Sequence, residues 1–158
     1  PIVGTGMETE IARGMSRVIY ARHAGQVEYA DAKTVEVKLD KKVDIVTSKA
    51  DEIEISDGGK REIYHLMKFK RTAHSTCYNQ KVLVSPGDKV KEGDLLVDGP
   101  SIERGELSLG RNLVIAYTSM SGYGFEDAIL VSDKIVKDDL LTSIHIEEYE
   151  ADIVDTKL

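Results

Sequence analysis

The sequence holds one cysteine, Cys77, in 158 residues, so no intramolecular disulfide framework can form. No apolar run approaches the roughly 20 residues of a membrane-spanning helix, and no cleavable signal peptide is visible. A soluble chain in a reducing compartment is the expectation. Positive charge is not in excess either, because 21 Lys and Arg stand against 28 Asp and Glu, leaving a formal net charge of −7. Proteins that neutralise nucleic-acid phosphates unaided carry a basic face, so this balance disfavours independent nucleic-acid binding. There is no Walker A loop, no HExxH, no GxSxG elbow and no paired CxxC, which disfavours a self-contained NTPase or hydrolase. The four histidines, His23, His65, His74 and His145, show no metal-ligand spacing. The chain opens at Pro1 without an initiator methionine and stops at Leu158 with no tapering tail, as expected of a piece cut from a larger product.

What is present is ordinary globular usage, 41% hydrophobic and 31% charged. The dominant local signal has period two. Residues 18–22, 26–30 and 34–39 are short β-branched or aromatic runs, read as three strands in a meander of hairpins. Residues 41–61 are charged, contain Asp57-Gly58-Gly59, and read as a long surface hairpin or insertion. Residues 63–71 and 80–84 read as further strands, and Ser85-Pro86-Gly87-Asp88 is a turn signal because Pro presets φ and Gly accepts positive φ. The apolar run 113–117 predicts a buried strand, and 143–150 alternates, with Glu147, Glu148 and Glu150 on a solvated face. Short helices are expected at 8–15 and within 122–141, the latter broken near Ser132 as a candidate N-cap. The total is mainly β with short helices, and Asp98-Gly99-Pro100-Ser101 marks the best boundary between a lobe of residues 1–98 and a lobe of residues 99–158.

Glu126-Asp127 is the leading candidate for chemistry. Flexible backbone precedes it at Gly122-Tyr123-Gly124-Phe125 and an apolar anchor follows at Ala128-Ile129-Leu130, so the carboxylates are expected at the exposed start of a helix. Mg²⁺ takes carboxylate oxygen and completes its shell with water and phosphates. Acids are equally favoured in any first helical turn by the macrodipole, and two acids make an incomplete site. Cys77, with Arg71 and His74 nearby, could be an activated thiol, but single cysteines more often act as small buried hydrophobes. Residues 84–96 resemble the Gly-Asp-x-Val-x-x-Gly turn of biotinyl and lipoyl carrier domains. The one Met-Lys pair, Met67-Lys68, lies upstream in a strand run, so Lys68 reads as a solvated strand lysine. A carrier module and a purely structural interaction module stay open as alternatives.

Six collinear stretches together resemble the β subunit of bacterial DNA-dependent RNA polymerase. They are Pro1-Ile2-Val3-Gly4-Thr5-Gly6-Met7-Glu8, Thr76-Cys77-Tyr78-Asn79-Gln80, Asp98-Gly99-Pro100-Ser101, residues 105–112, residues 122–129 and residues 142–150. The resemblance implies a fragment of the catalytic half, before the flap domain. It implies a barrel-sandwich hybrid lobe over 1–98, with the charged insertion near 41–61, and part of a double-psi β-barrel over 99–158. The catalytic aspartates and first Mg²⁺ would belong to the β′ subunit. The family's Gly-Tyr-Asn-Phe-Glu-Asp motif maps onto Glu126 and Asp127, near the second Mg²⁺ and the incoming nucleoside triphosphate. Asp127 would be the metal neighbour, directly or through water, while Glu126 shapes the field. Implied partners are β′, the remainder of β, the α subunits and sigma factor, with DNA, RNA and nucleotide in the whole cytoplasmic, nucleoid-associated enzyme and no membrane. The chain alone would be an inactive part of a nucleotidyltransferase, with exposed barrel edges and a tendency to self-associate. The sequence departs from the family at Gly124, where the motif has Asn, at Ser119-Met120 in place of Pro-Trp, and at Ala73-His74-Ser75 in place of Asn-Gln-Asn.

Overall fold

The computed structural model describes residues 1–15, 17–43 and 53–153. The predicted β-rich class is observed, and the order of elements follows the period-two runs. Helix α1 (Glu8–Gly14) comes first, then β1 (Ile19–Tyr20), β2 (Gly25–Ala30) and β3 (Thr34–Leu39). After them come β4 (Ile53–Ser56), β5 (Arg61–His65), β6 (Lys70–Arg71), β7 (Cys77–Tyr78) and β8 (Lys81–Val82). The last elements are β9 (Lys89–Val90), β10 (Leu95–Asp98), β11 (Ile102–Glu103), β12 (Glu106–Leu107) and helix α2 (Asp133–Lys137).

Two sheets share the main core. One has the order β4-β5-β3-β2-β9 and the other β1-β10-β8. Alternation turns Val35, Val37 and Leu39 of β3, Val27 of β2 and Tyr64 of β5 inward, where they join Ile19, Leu96 and Val97 from the second sheet in one buried cluster. The simple meander is corrected here: β2 and β3 form the hairpin, but β1 pairs with β10 in the other sheet.

The switch between sheets is built by two equivalent turns. In the first, Ser85 N–H donates to the Asp88 carboxylate (2.8 Å) while Gly87 N–H and Asp88 C=O bond the backbone of Val27 (2.8 and 2.9 Å). Six residues on, Lys91 N–H donates to the Asp94 carboxylate (2.8 Å), and Gly93 N–H and Asp94 C=O bond the backbone of Ala21 (both 2.8 Å). Gly87 (φ +99°) and Gly93 (φ +86°) take the positive φ that each turn requires. The segment between the turns thereby runs antiparallel to 21–27 and crosses from one sheet to the other.

The charged stretch 41–61 ends in the β4–β5 hairpin, whose turn passes through left-handed Asp57, Gly58 and Gly59; the remainder of that expectation falls on 44–52, outside the described residues. The strand expected over 63–71 is interrupted, because the chain leaves β5 after His65 and reforms as β6, with left-handed Phe69 (φ +48°) at the break. A second small cluster of Ala12, Val18 and Ile102 packs α1 against β11–β12.

Beyond Leu107 the expectations fail in two places. Residues 113–117 carry a buried-strand composition, yet no ladder partner occurs among the described residues and Val114 and Tyr117 are fully exposed. Residues 143–150 form one bridge, His145 with Thr76, rather than a strand. A β-strand needs a neighbour for its backbone groups, and alternation alone cannot supply it. No closed barrel is formed by the described residues. In 122–141 the single helix is α2, with Ser132 at the N-cap position (ψ 150°) but without a side-chain capping bond.

Candidate functional site

The loop carrying the acidic pair is shaped by left-handed residues. Met120 and Tyr123 exchange backbone bonds (2.9 and 3.4 Å) around Ser121 (φ +51°) and Gly122 (φ +82°), the two positive φ values of a type I′ turn. Gly124 (φ +79°) and Glu126 (φ +56°) are left-handed again, and Ala128 N–H closes onto Phe125 C=O at 3.3 Å. Gly takes the left-handed region without steric cost, so Gly124 suits the conformation found at this position. Leu130 lies 3.5 Å from where a Cβ at position 124 would stand.

Glu126 and Asp127 are both exposed on this turn. The expectation of a helix start is corrected, because α2 begins six residues after Asp127 and the macrodipole does not account for the pair. Alternating left-handed residues present the two carboxylates on an ordered turn instead. Among the described residues no group of three or more His, Cys, Asp or Glu side chains is poised to hold a metal ion. Glu126 and Asp127 are therefore an exposed pair of acids and not part of a larger cluster of such side chains among the described residues. Exposed Tyr123, Phe125 and Ile129 surround it.

The other candidates separate clearly. Cys77 is half-buried on β7 and directly opposite Arg71 on β6, while the Arg71 guanidinium donates to Ser75 Oγ at 3.1 Å. The β6–β7 ribbon is tied to the later chain by Ile146 N–H donating to Ser75 C=O (2.8 Å). Lys68 is not a solvated strand lysine. It is half-buried, outside any strand, and its ammonium donates to Gln80 C=O at 2.8 Å, so it is not displayed on an exposed hairpin tip as a carrier lysine must be.

Sequence reasoning missed a buried polar network. Glu62 is inside the core, where it accepts a bond from the Tyr64 hydroxyl (2.7 Å) and lies 2.7 Å from His23 Nδ1. The Tyr64 oxygen in turn accepts Arg22 N–H at 3.1 Å. Burial, with the Glu62 carboxylate adding to it, pushes the Tyr64 phenol far above its ordinary value. The available signal was phase: Glu62 is two residues from Tyr64 and so faces the same side of β5.

Among the described residues no helix is long and apolar enough to cross a membrane. The family model described as RNA polymerase Rpb2, domain 6 matches residues 20–158. The whole chain aligns at 44% identity with the DNA-directed RNA polymerase subunit beta of Streptococcus gordonii, and at 45% with that of Streptococcus suis. The alignment with Streptococcus mutans is also at 44%. In each case the chain spans 12% of the relative's length.

Proposed function

The chain belongs to the RNA polymerase β-subunit family, through its domain 6, and from that premise we propose that it serves DNA-directed RNA synthesis as scaffold and as the carrier of an accessory carboxylate pair. Glu126 and Asp127 stand beside the second Mg²⁺ and the triphosphate of the incoming nucleotide. One observation carries the reading: a turn preset by Ser121, Gly122, Gly124 and Glu126 offers adjacent, exposed carboxylates with no partner acids of their own among the described residues.

These residues fit the ion as the outer half of a site. Carboxylate oxygens are the donors Mg²⁺ selects, and it ordinarily completes its octahedron with water and substrate phosphates. When bound, Mg²⁺ would supply positive charge that neutralises the nucleotide phosphates during in-line displacement. Asp127 would hold the ion, directly or through water. Glu126 adds negative potential that favours the cation. The left-handed backbone fixes where both charges stand, so little reorganisation is needed when nucleotide arrives.

The two lobes of the chain take the roles implied by the resemblance, a barrel-sandwich hybrid over 1–98 and part of a double-psi β-barrel over 99–158. The exposed apolar residues Val114, Ile115, Tyr117, Ile129 and Ile153 are then covered by the remainder of β and by β′. The α subunits, sigma factor, DNA and RNA complete the cytoplasmic, nucleoid-associated enzyme, and the net charge of −7 fits a segment that leaves phosphate neutralisation to its partners. The chain alone is inactive.

The test is Asp127→Ala in the assembled polymerase. Losing a preorganised charged contact should slow nucleotide addition by about tenfold to a hundredfold, with subunit assembly intact. The Mg²⁺ concentration needed for half-maximal rate should rise, and Asp127→Glu should restore part of it. An unchanged rate and unchanged Mg²⁺ requirement would reduce the pair to surface acids.

A further inference from the structure

The chain contains two Asp-Gly steps, Asp57-Gly58 and Asp98-Gly99, and no Asn-Gly step. An Asp-Gly step can cyclise because glycine has no side chain to shield its amide nitrogen. The Gly nitrogen attacks Cγ of the preceding Asp, forming an N–C bond while the protonated carboxyl loses a water molecule. Water then opens the cyclic imide at either carbonyl, and opening at the α-carbonyl leaves the main chain running through the former side chain as isoaspartate. Water lost is water regained, and no other reactant is needed.

The two steps sit in opposite surroundings. Asp98 is 3% exposed, and its two oxygens accept Gly105 N–H (2.9 Å) and Arg104 N–H (2.6 Å). Gly99 is packed so tightly that a Cβ there would lie 2.9 Å from Arg17 O. Neither the carboxyl group nor the backbone at 98–99 can move without breaking these contacts. Asp57 lies at the tip of the β4–β5 hairpin with a side chain 64% exposed, and its ion pair with Arg61 is a loose 3.6 Å. No backbone bond among the described residues engages the Gly58 amide, and nothing lies within 4 Å of where a Cβ on Gly58 would stand. Asp57 is also left-handed (φ +52°), a conformation L residues hold at a cost.

We propose that Asp57 is a site of spontaneous succinimide formation and isoaspartate accumulation, and that Asp98 is protected. Cyclisation at Asp98 requires release of two charge-assisted bonds, which lowers the reactive population by about a hundredfold. The consequence is local. An added methylene in the β4–β5 turn disturbs the loop that holds Gly59 C=O against Val43 N–H (2.8 Å). The inference does not depend on the role of Glu126 and Asp127.

The experiment ages the intact subunit at mildly acidic pH, digests it, and separates the peptides containing positions 57 and 98 by chromatography with fragmentation that distinguishes isoaspartate. A synthetic peptide covering 53–61 sets the unrestrained rate. The expected result is isoaspartate at 57, preceded by a species lighter by one water, and at least about fiftyfold less at 98. Asp57→Glu, which retains the charge but disfavours the imide ring, should abolish the conversion at 57 and leave 98 unchanged. Equal conversion at both positions, or an unchanged position 57 after the peptide has converted, would overturn the proposal.

Discussion

Replacing Asp98 by Asn should loosen the β11–β12 hairpin far more than the isosteric change suggests. Arg104 (φ +51°) and Gly105 (φ +78°) are the two central residues of that hairpin, both left-handed as a type I′ turn demands. Their N–H groups point back at β10, where the two oxygens of Asp98 accept one each, at 2.6 and 2.9 Å. A carboxylate is the one side-chain group of this size that accepts on both atoms. The Asn side chain offers one oxygen to one N–H and sets an NH₂ group against the other, so one bond to a charged acceptor is lost and a buried donor is stranded. Each such bond contributes about 1.5–3 kcal/mol, and the Asn variant should open the turn at a cost of about 2 kcal/mol. Asp98→Ala, which removes both acceptors, should cost about 3–4 kcal/mol. The assay is amide hydrogen exchange at Arg104 and Gly105. Two kcal/mol is about a thirtyfold rise in the open population, so exchange there should accelerate by that factor in the Asn variant. Protection within about twofold of the parent would mean that the carboxylate does not hold the turn, and the reasoning would fall.

Three other outcomes follow from the same framework. Leu96→Ala removes a fully buried side chain from the cluster shared by both sheets and should cost about 2–5 kcal/mol in urea denaturation; a loss under about 1 kcal/mol would mean that this cluster does not join the sheets. Gly25→Ala should break the β2–β3 register, because a Cβ there would stand 2.2 Å from the Lys38 carbonyl oxygen, which is backbone and cannot rotate away; unchanged exchange protection across that hairpin would refute it. Asp31 should titrate below its ordinary 3.8, since Lys33 N–H, the Tyr29 hydroxyl and Thr34 N–H all donate to its carboxylate. A depressed folded value means that its stabilisation is present above the unfolded value and is lost as pH falls through the folded one, so Asp31→Asn should flatten the acid limb of stability, read beside a carboxyl-carbon NMR titration.

Much of the first hundred residues was legible because the signals there are local. Period-two runs over 18–22, 26–30 and 34–39 located β1, β2 and β3, and Pro86-Gly87 with its following Asp88 located a turn that exists. Pairing was less legible. The sequence neighbours β1 and β2 lie in different sheets, and the cause is the pair of turns at Ser85–Asp88 and Lys91–Asp94 that grips Val27 and Ala21, far away along the chain. Phase also failed at one point. Tyr29 alternates with Val27 and should face the core, but the register slips between Val27 and Tyr29 against β3, and that bulge turns Tyr29 out to bond Asp31. No composition rule announces a bulge. Glu28, at the slip, is instead free to pair with Lys38 (3.2 Å) and Arg61 (2.8 Å) on the solvent face.

The acidic pair shows a different kind of limit. Its carboxylates were found from sequence, yet the helix start expected to display them is absent, and the ordering device is a series of left-handed residues of which Gly122 and Gly124 were read only as flexibility. A residue such as Glu126 at φ +56° carries no sequence mark, because only context holds a long side chain there. The same dependence on context governs 113–117. Apolar β-branched residues state that a strand should be buried, but burial requires a second surface, and a surface leaving Val114, Ile115 and Tyr117 uncovered in water would be prone to association. Local sequence therefore specified a demand for cover over 113–117, while the buried clusters of the described residues extend only as far as Leu107. The two exposed carboxylates thus stand on a turn that the local backbone already sets, in a segment whose apolar residues find no cover among the described residues.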